Sequence, residues 1–214
     1  MHPEPTHILW DHDGVLVDTE PLYFEANRRA LEKVGIQMGV GQYLELMAAG
    51  GSAFDLAREA GVAEAEIVRW RDQRNVWYQQ LIAEGDIDIE GVEDVLSSLS
   101  ANYRMAIVTT CKPEDFRFIH ENRTITSYMD FVLTSGDYPR SKPEPDPYLA
   151  ALDRYGISAE QAVVVEDSQR GLSSALAAGI RCVVVDNAFT RTHDFSGAIA
   201  RIGSLKELPE VLST

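Results

Sequence analysis

Ile8-Leu9-Trp10-Asp11-His12-Asp13-Gly14-Val15-Leu16-Val17-Asp18-Thr19-Glu20 is the stretch that decides the fold. A short apolar run ends in two carboxylates one residue apart, with a glycine directly after them. Side chains alternate along a strand, so Asp11 and Asp13 would share a face where a strand ends. Like charges so close repel unless one is protonated or a cation lies between them. The pair therefore reads as a divalent-metal site, an acid/base pair, or both. An isolated Asp-x-Asp-Gly can equally be a charged turn after an edge strand. The apolar run is short and uninterrupted, as in a buried parallel strand. Carboxyl ends of such strands are where open α/β sheets bind ligands.

Working outward, Thr19 or Asp18 caps a helix with Pro21 in its first turn. Leu22, Ala26, Ala30 and Val34 form its apolar stripe, and Gly35 ends it. Residues 36–63 read as short helices broken by glycines. A longer helix follows with Ile67, Trp70, Trp77 and Leu81 on one stripe and Arg74 in its middle. No strand is evident through Gly85, so 19–87 is expected to be an all-helical insert. The core is then 1–18 with 88–214.

From Gly91 the pattern changes. Val92–Leu99 is an amphipathic helix, and Met105–Thr109 reads as a buried strand. Thr110 to Asp115 carries the marks of a helix start. Phe131–Thr134 is a third strand, followed by a proline-rich loop holding Lys142 and a helix over Tyr148–Tyr155. Ala162–Asp167 is a fourth strand ending in adjacent acids. A helix over Leu172–Ala178, a strand over Arg181–Asp186 and a short helix over Ser204–Leu212 close the chain. Strand–helix alternation of this kind predicts an α/β fold with a doubly wound, Rossmann-like parallel sheet.

The chain has 214 residues and a 45% apolar fraction, enough for a substantial core. No apolar window is long enough for a membrane span, and the N-terminus lacks a signal-peptide pattern. Cys111 and Cys182 do not suggest a disulfide framework, so a cytoplasmic setting is expected. A net charge of −15 argues against nucleic acid and anionic membranes. Any anionic ligand needs local positive charge, and lysine is confined to Lys33, Lys112, Lys142 and Lys206.

Strand tips of a parallel sheet share one edge, which should gather Asp11, Asp13, Thr109, Lys142, Glu166 and Asp167. Asp11, Asp13 and Asp167 are hard oxygen ligands suited to Mg²⁺. Thr109 and the amides opening the next helix are placed to hold phosphate oxygens. Lys142 would neutralise a nucleophile and an anion together. Each has a plainer reading, as strand-end hydroxyl, solvated loop lysine or, for Glu166, structural acid.

With these motifs in order, the chain resembles the haloacid dehalogenase-like superfamily, in the group with an α-helical cap after the first strand. The matching segments are Asp11-His12-Asp13-Gly14-Val15, Thr109, Lys142-Pro143-Glu144-Pro145-Asp146-Pro147, and Glu166-Asp167-Ser168 through Gly171. The resemblance implies a Mg²⁺-dependent phosphatase acting on a small phosphomonoester, a sugar phosphate or phosphoglycolate. It makes Asp11 the nucleophile that forms an aspartyl-phosphate. Asp13 becomes the acid/base, with its main-chain carbonyl on the metal. Asp167 is the third protein ligand, and Glu166 helps directly or through water.

Thr110, Arg74 and Ser52 are the candidates for substrate contact. Arg74 would meet a distal anion or else pair with a cap carboxylate. Ser52 follows Gly50-Gly51 and is equally explained as a turn. Cys111 is expected to be uninvolved, the tryptophans to be packing, and His12 to point away from the site. The resemblance includes β-phosphoglucomutase-like sugar phosphomutases, which carry a histidine where this chain has Tyr23 and an arginine where it has Ala53. A receiver-like protein that binds Mg²⁺ and phosphate without turnover is the non-enzymatic rival. A small phosphorylated metabolite is the expected partner; oligomeric state is open, and a monomer is compatible.

Overall fold

The structure, a computed structural model, describes residues 4–213. The chain divides into two compact units. One is the segment up to Asp18 together with that from Asp88 onward, and the other is Thr19–Ile87.

The first unit is built on six parallel strands: β1 (His7–Trp10), β2 (Arg104–Val108), β3 (Phe131–Leu133), β4 (Ala162–Glu166), β5 (Arg181–Val185) and β6 (Ala200–Ile202). Their order is β3-β2-β1-β4-β5-β6. The order reverses between β1 and β4, and such switch points open the crevice where ligands bind. Every residue of β4 is buried, as are the last four of β2 and of β5. β-Branched residues fit a sheet covered on both faces. Register aligns the tips: Trp10 pairs with Ile107 on one side and Val165 on the other. Asp11 and Thr109 therefore leave the sheet at the same edge as Glu166.

The second unit holds α1 (Glu20–Glu32), α2 (Val40–Ala48), α3 (Asp55–Glu59) and α4 (Glu64–Glu84). No strand occurs in it among the described residues. Pro21 stands in the first turn of α1, where its missing N–H is harmless. The buried face of α4 is Ile67, Arg74, Tyr78 and Ile82. Trp70 and Trp77, expected on that stripe, are only half-buried and stack on each other at 6.2 Å.

The first unit's helices are α5 (Val92–Leu99), α6 (Pro113–His120), α7 (Asp146–Tyr155), α8 (Gln169–Ala177) and α9 (Leu208–Leu212). The last expected helix is split, with a 3₁₀ turn over Leu205–Glu207 before α9. The split is set by the Ser204/Glu207 capping box and by Pro209 at the start of α9. Strand β6 was not expected. No helix among the described residues is long and apolar enough to cross a membrane.

Candidate active site

Strand β1 ends at Trp10, and the chain turns immediately. The amides of Val15, Leu16 and Val17 all point to the His12 carbonyl, and Gly14 N–H donates to the Val17 carbonyl at 2.7 Å. Gly14 has φ +82°, and a Cβ there would lie 2.1 Å from Asp167 Oδ2. The glycine is required both for the turn and for the close approach of that carboxylate.

The buried centre is Lys142, which reaches in from the loop before α7. Its ammonium donates to Asp11 Oδ1 at 2.6 Å, Glu166 Oε1 at 2.7 Å and the Val108 carbonyl at 2.9 Å. All three of its protons are used. Burial works against this charge, but Asp11 and Glu166 outweigh it and raise the Lys142 pKa. Burial, then the Glu166 carboxylate, lifts Asp11 to about 7 against the pull of Lys142. Glu166 is likewise opposed by burial, yet Lys142, Tyr148 and Ser168 hold it below the ordinary carboxylate range.

Glu166 is saturated. Its Oε1 accepts from Lys142 and Tyr148, and its Oε2 from Asp167 N, Ser168 N and Ser168 Oγ. Its carboxylate also packs on Gly171, where a Cβ would fall 1.7 Å from Oε1. Ser168 in turn caps α8 by accepting from Gly171 N–H at 3.1 Å.

Asp11, Glu166 and Asp167 each bring a carboxylate oxygen within 4.8 Å of the others. Three clustered buried carboxylates, two of them bonded to the one ammonium, leave an excess of negative charge that a divalent cation would relieve. The all-oxygen donors and the Gly14 cradle beside Asp167 fit Mg²⁺. The Asp13 carboxylate is not in this group. It lies with His12 and Cys111, and Thr109 Oγ reaches its Oδ2 at 3.4 Å. The two acids of the opening motif thus face different neighbours.

Thr109 is fully buried and accepts from Cys111 N–H at 3.0 Å. This ties down the Thr110–Lys112 link that leads into α6; Thr110 itself is half-exposed. His12 does not point away from the acids. Its Nδ1 is 3.2 Å from Asp13 Oδ2, and its Nε2 is 2.8 Å from Nε2 of His120. β1 ends at Trp10 and the chain turns on the His12 carbonyl, so the period-2 argument does not extend to His12. Burial first, then His12 and Arg123, lowers His120 to about 3.

In the helical unit, Arg74 is buried, with its guanidinium 4.5 Å from the Tyr23 ring centroid. It donates to Asn27 Oδ1 at 2.9 Å and Asn75 Oδ1 at 3.0 Å. Among the described residues its partners are amides and rings, with no carboxylate. Ser52 is exposed and occupied locally: its N–H donates to Asp55 Oδ2 at 2.7 Å, and its Oγ accepts from Phe54 N–H at 3.3 Å.

The sequence pattern of haloacid dehalogenase-like hydrolases matches residues 8–185. The chain belongs to that family. It is 33% identical to protein CbbY of Cereibacter sphaeroides, over 94% of this chain and 93% of the relative. It is 27% identical to a phosphorylated carbohydrates phosphatase of Thermotoga maritima, over 81% of each chain. A crystal structure of a CbbY variant from Rhodobacter sphaeroides, in complex with xylulose-(1,5)bisphosphate, superposes with a TM-score of 0.82 and 28% identity. That superposition covers 95% of this chain and 96% of the other.

Three residues of the site escaped the sequence reading. Tyr148 holds Glu166 at 2.9 Å, and Tyr138 donates to the Thr109 carbonyl at 2.7 Å. Asn187, just past β5, donates to the Gly14 carbonyl at 3.4 Å. Only Asn187 carried a signal, as a polar residue at the tip of an apolar parallel strand.

Proposed function

We propose that the protein is a Mg²⁺-dependent phosphatase of small phosphorylated sugars that works through an aspartyl-phosphate. The chain is a haloacid dehalogenase-family phosphoric monoester hydrolase, and its relatives include proteins named for phosphorylated carbohydrates and fructose 1-phosphate. The observation that carries the mechanism is Lys142 fixing Asp11 at 2.6 Å, itself locked by Glu166.

In this reading an Asp11 oxygen attacks phosphorus while the bond to the sugar oxygen breaks. Asp13 gives that oxygen a proton, and the sugar leaves as an alcohol. Asp13 then takes a proton from water, which attacks the aspartyl-phosphate, releases inorganic phosphate and restores Asp11. Thr109, Thr110 and the amides before α6 hold the phosphate oxygens. Lys142 balances charge at the nucleophile. The carboxylates of Asp11 and Asp167 and the main-chain carbonyl of Asp13 would hold Mg²⁺. With five donors already on its carboxylate, Glu166 acts by fixing Lys142 or through water. When bound, Mg²⁺ offsets the charge of the phosphate and the carboxylates and helps orient them.

Hydrolysis is favoured over phosphomutase chemistry by two positions. The Tyr23 ring is taken up by the Arg74 guanidinium, and Ala53 is a buried methyl. Neither supplies the histidine or arginine that a mutase-like relative would carry there. Arg74 is the candidate for the second anion of a doubly charged sugar phosphate, and Ser52 a lesser contact of the same kind.

The test is phosphate release from a panel of sugar mono- and bisphosphates, with Mg²⁺ and with EDTA. Release over many turnovers, lost in EDTA and in Asp13→Asn, is expected. Isomerisation of β-glucose 1-phosphate with little phosphate released would assign the chain to the mutases. A single stoichiometric phosphorylation would assign it to the receivers.

A further inference from the structure

A second group of ligand-type side chains lies in the turn after β1, apart from the Lys142 cluster. His12, Asp13 and Cys111 each offer a donor atom within 4.8 Å of the other two. His12 is fully buried. Its Nδ1 makes no hydrogen bond, although Asp13 Oδ2 stands 3.2 Å away. A buried polar nitrogen left without a partner is costly, and such exceptions call for an explanation such as an ion.

We propose that His12 Nδ1, the Asp13 carboxylate and Cys111 Sγ form a binding site for a borderline-soft divalent cation such as Zn²⁺, separate from the oxygen-lined Mg²⁺ site. Imidazole and thiolate favour Zn²⁺ over Mg²⁺, which takes oxygen ligands. Two ligands at 2.0–2.1 Å from a tetrahedral ion stand about 3.3 Å apart, and the Nδ1–Oδ2 pair already meets that spacing. Cys111 Sγ makes a long contact, 3.6 Å, to the Lys112 carbonyl and already lies within 4.8 Å of the other two donor atoms. The thiol proton passes to solvent as the sulfur–metal bond forms. Coordination through Nδ1 places the ring proton on Nε2, where His120 Nε2 accepts it at 2.8 Å. This is the outer partner that metal-bound histidines usually have. The Asp13 side chain is 28% exposed, which gives the ion a way in. The fourth position is left to water.

Occupancy would engage the carboxylate that turnover needs, so Zn²⁺ should inhibit even at saturating Mg²⁺. That consequence rests on the acid/base role proposed for Asp13; the binding itself does not. The experiment is a titration of the full chain with Co²⁺ as the spectroscopic stand-in, in excess Mg²⁺. One equivalent should raise a near-ultraviolet thiolate-to-cobalt charge-transfer band that Zn²⁺ removes. Cys111→Ser should lose the band, bind Zn²⁺ at least tenfold more weakly and resist Zn²⁺ inhibition by a similar factor. His120→Phe should keep the band and weaken binding about 10–100-fold. No band in the native chain, or unchanged Zn²⁺ affinity in Cys111→Ser, would overturn the site. A band without inhibition would overturn the role given to Asp13 and leave the site standing.

Discussion

Lys142 and Arg74 are both buried cations, 5% and 7% exposed, but their surroundings differ in kind. Lys142, in the sheet unit, spends its three protons on two carboxylates and a carbonyl. Arg74, in the helical unit, is wrapped by the Tyr23 and Phe54 rings and by two neutral amides. Burying a charge is costly unless it is paired. Lys142 offsets that cost within the fold, so it belongs to the nucleophile's own structure. Arg74 is held by weaker cation–π and amide contacts. Among the described residues no carboxylate pairs with its positive charge, which suits a residue that receives an anion from outside. Burial alone therefore does not mark a cation as structural; the charge of its partners does.

The largest effect should come from removing the paired cation. Lys142→Met leaves Asp11 and Glu166 side by side without compensation. Breaking a buried pair in this way costs about 3–5 kcal/mol, read by urea unfolding in EDTA, and turnover should fall to background. A loss below about 1 kcal/mol would mean that the three-way contact contributes little, and the contrast with Arg74 would collapse.

Asp11→Asn probes the same cluster from the acid side. It should abolish turnover yet stabilise the metal-free fold above pH 7. Asp11 is raised from 3.8 to about 7 on folding, so the folded state holds a proton that the unfolded state has released. Stability therefore falls as pH rises between those values and levels off above the higher one. The variant escapes this penalty. Its advantage should be roughly 1–3 kcal/mol near pH 8 and shrink toward zero near pH 4. An advantage independent of pH would show that Asp11 is not the group under strain.

Much of this arrangement was legible in the chain because parallel strands make the argument local. Apolar runs such as Val163-Val164-Val165 declare a buried strand, and the polar residue at each tip must then lie along one edge. Asp11, Thr109 and Glu166 follow from that rule. What stayed hidden has physical reasons. Strand β6 is three residues long with exposed Arg201 in its centre, too short for any period to register. His12 stands beside Asp13 because strand alternation ends with β1 and the chain turns on the His12 carbonyl. Trp70 and Trp77 border the buried face of α4 rather than lie in it. Two rings can shelter each other by stacking, so an aromatic stripe need not be the buried one. Tyr148 is a core-sized residue whose hydroxyl matters only because Glu166 lies opposite, a long-range fact that no local pattern carries.

The smallest stability effect, and the sharpest use of the comparison, is expected from Arg74→Met. The substitution keeps an unbranched apolar stem against Tyr23 and Phe54 and removes a charge paired with no carboxylate among the described residues. The lost cation–π and amide contacts are worth about 1 kcal/mol together once desolvation is relieved. Urea unfolding should therefore detect little change where Lys142→Met detects a large one. Catalysis should separate the two residues in the opposite sense. If Arg74 receives a second anion, the variant's kcat/KM for a sugar bisphosphate should fall at least tenfold, mainly through KM, while its activity on the matching monophosphate changes about twofold or less. Equal losses on both substrates would make Arg74 a structural cation after all. Its burial among rings would then serve the helical unit alone.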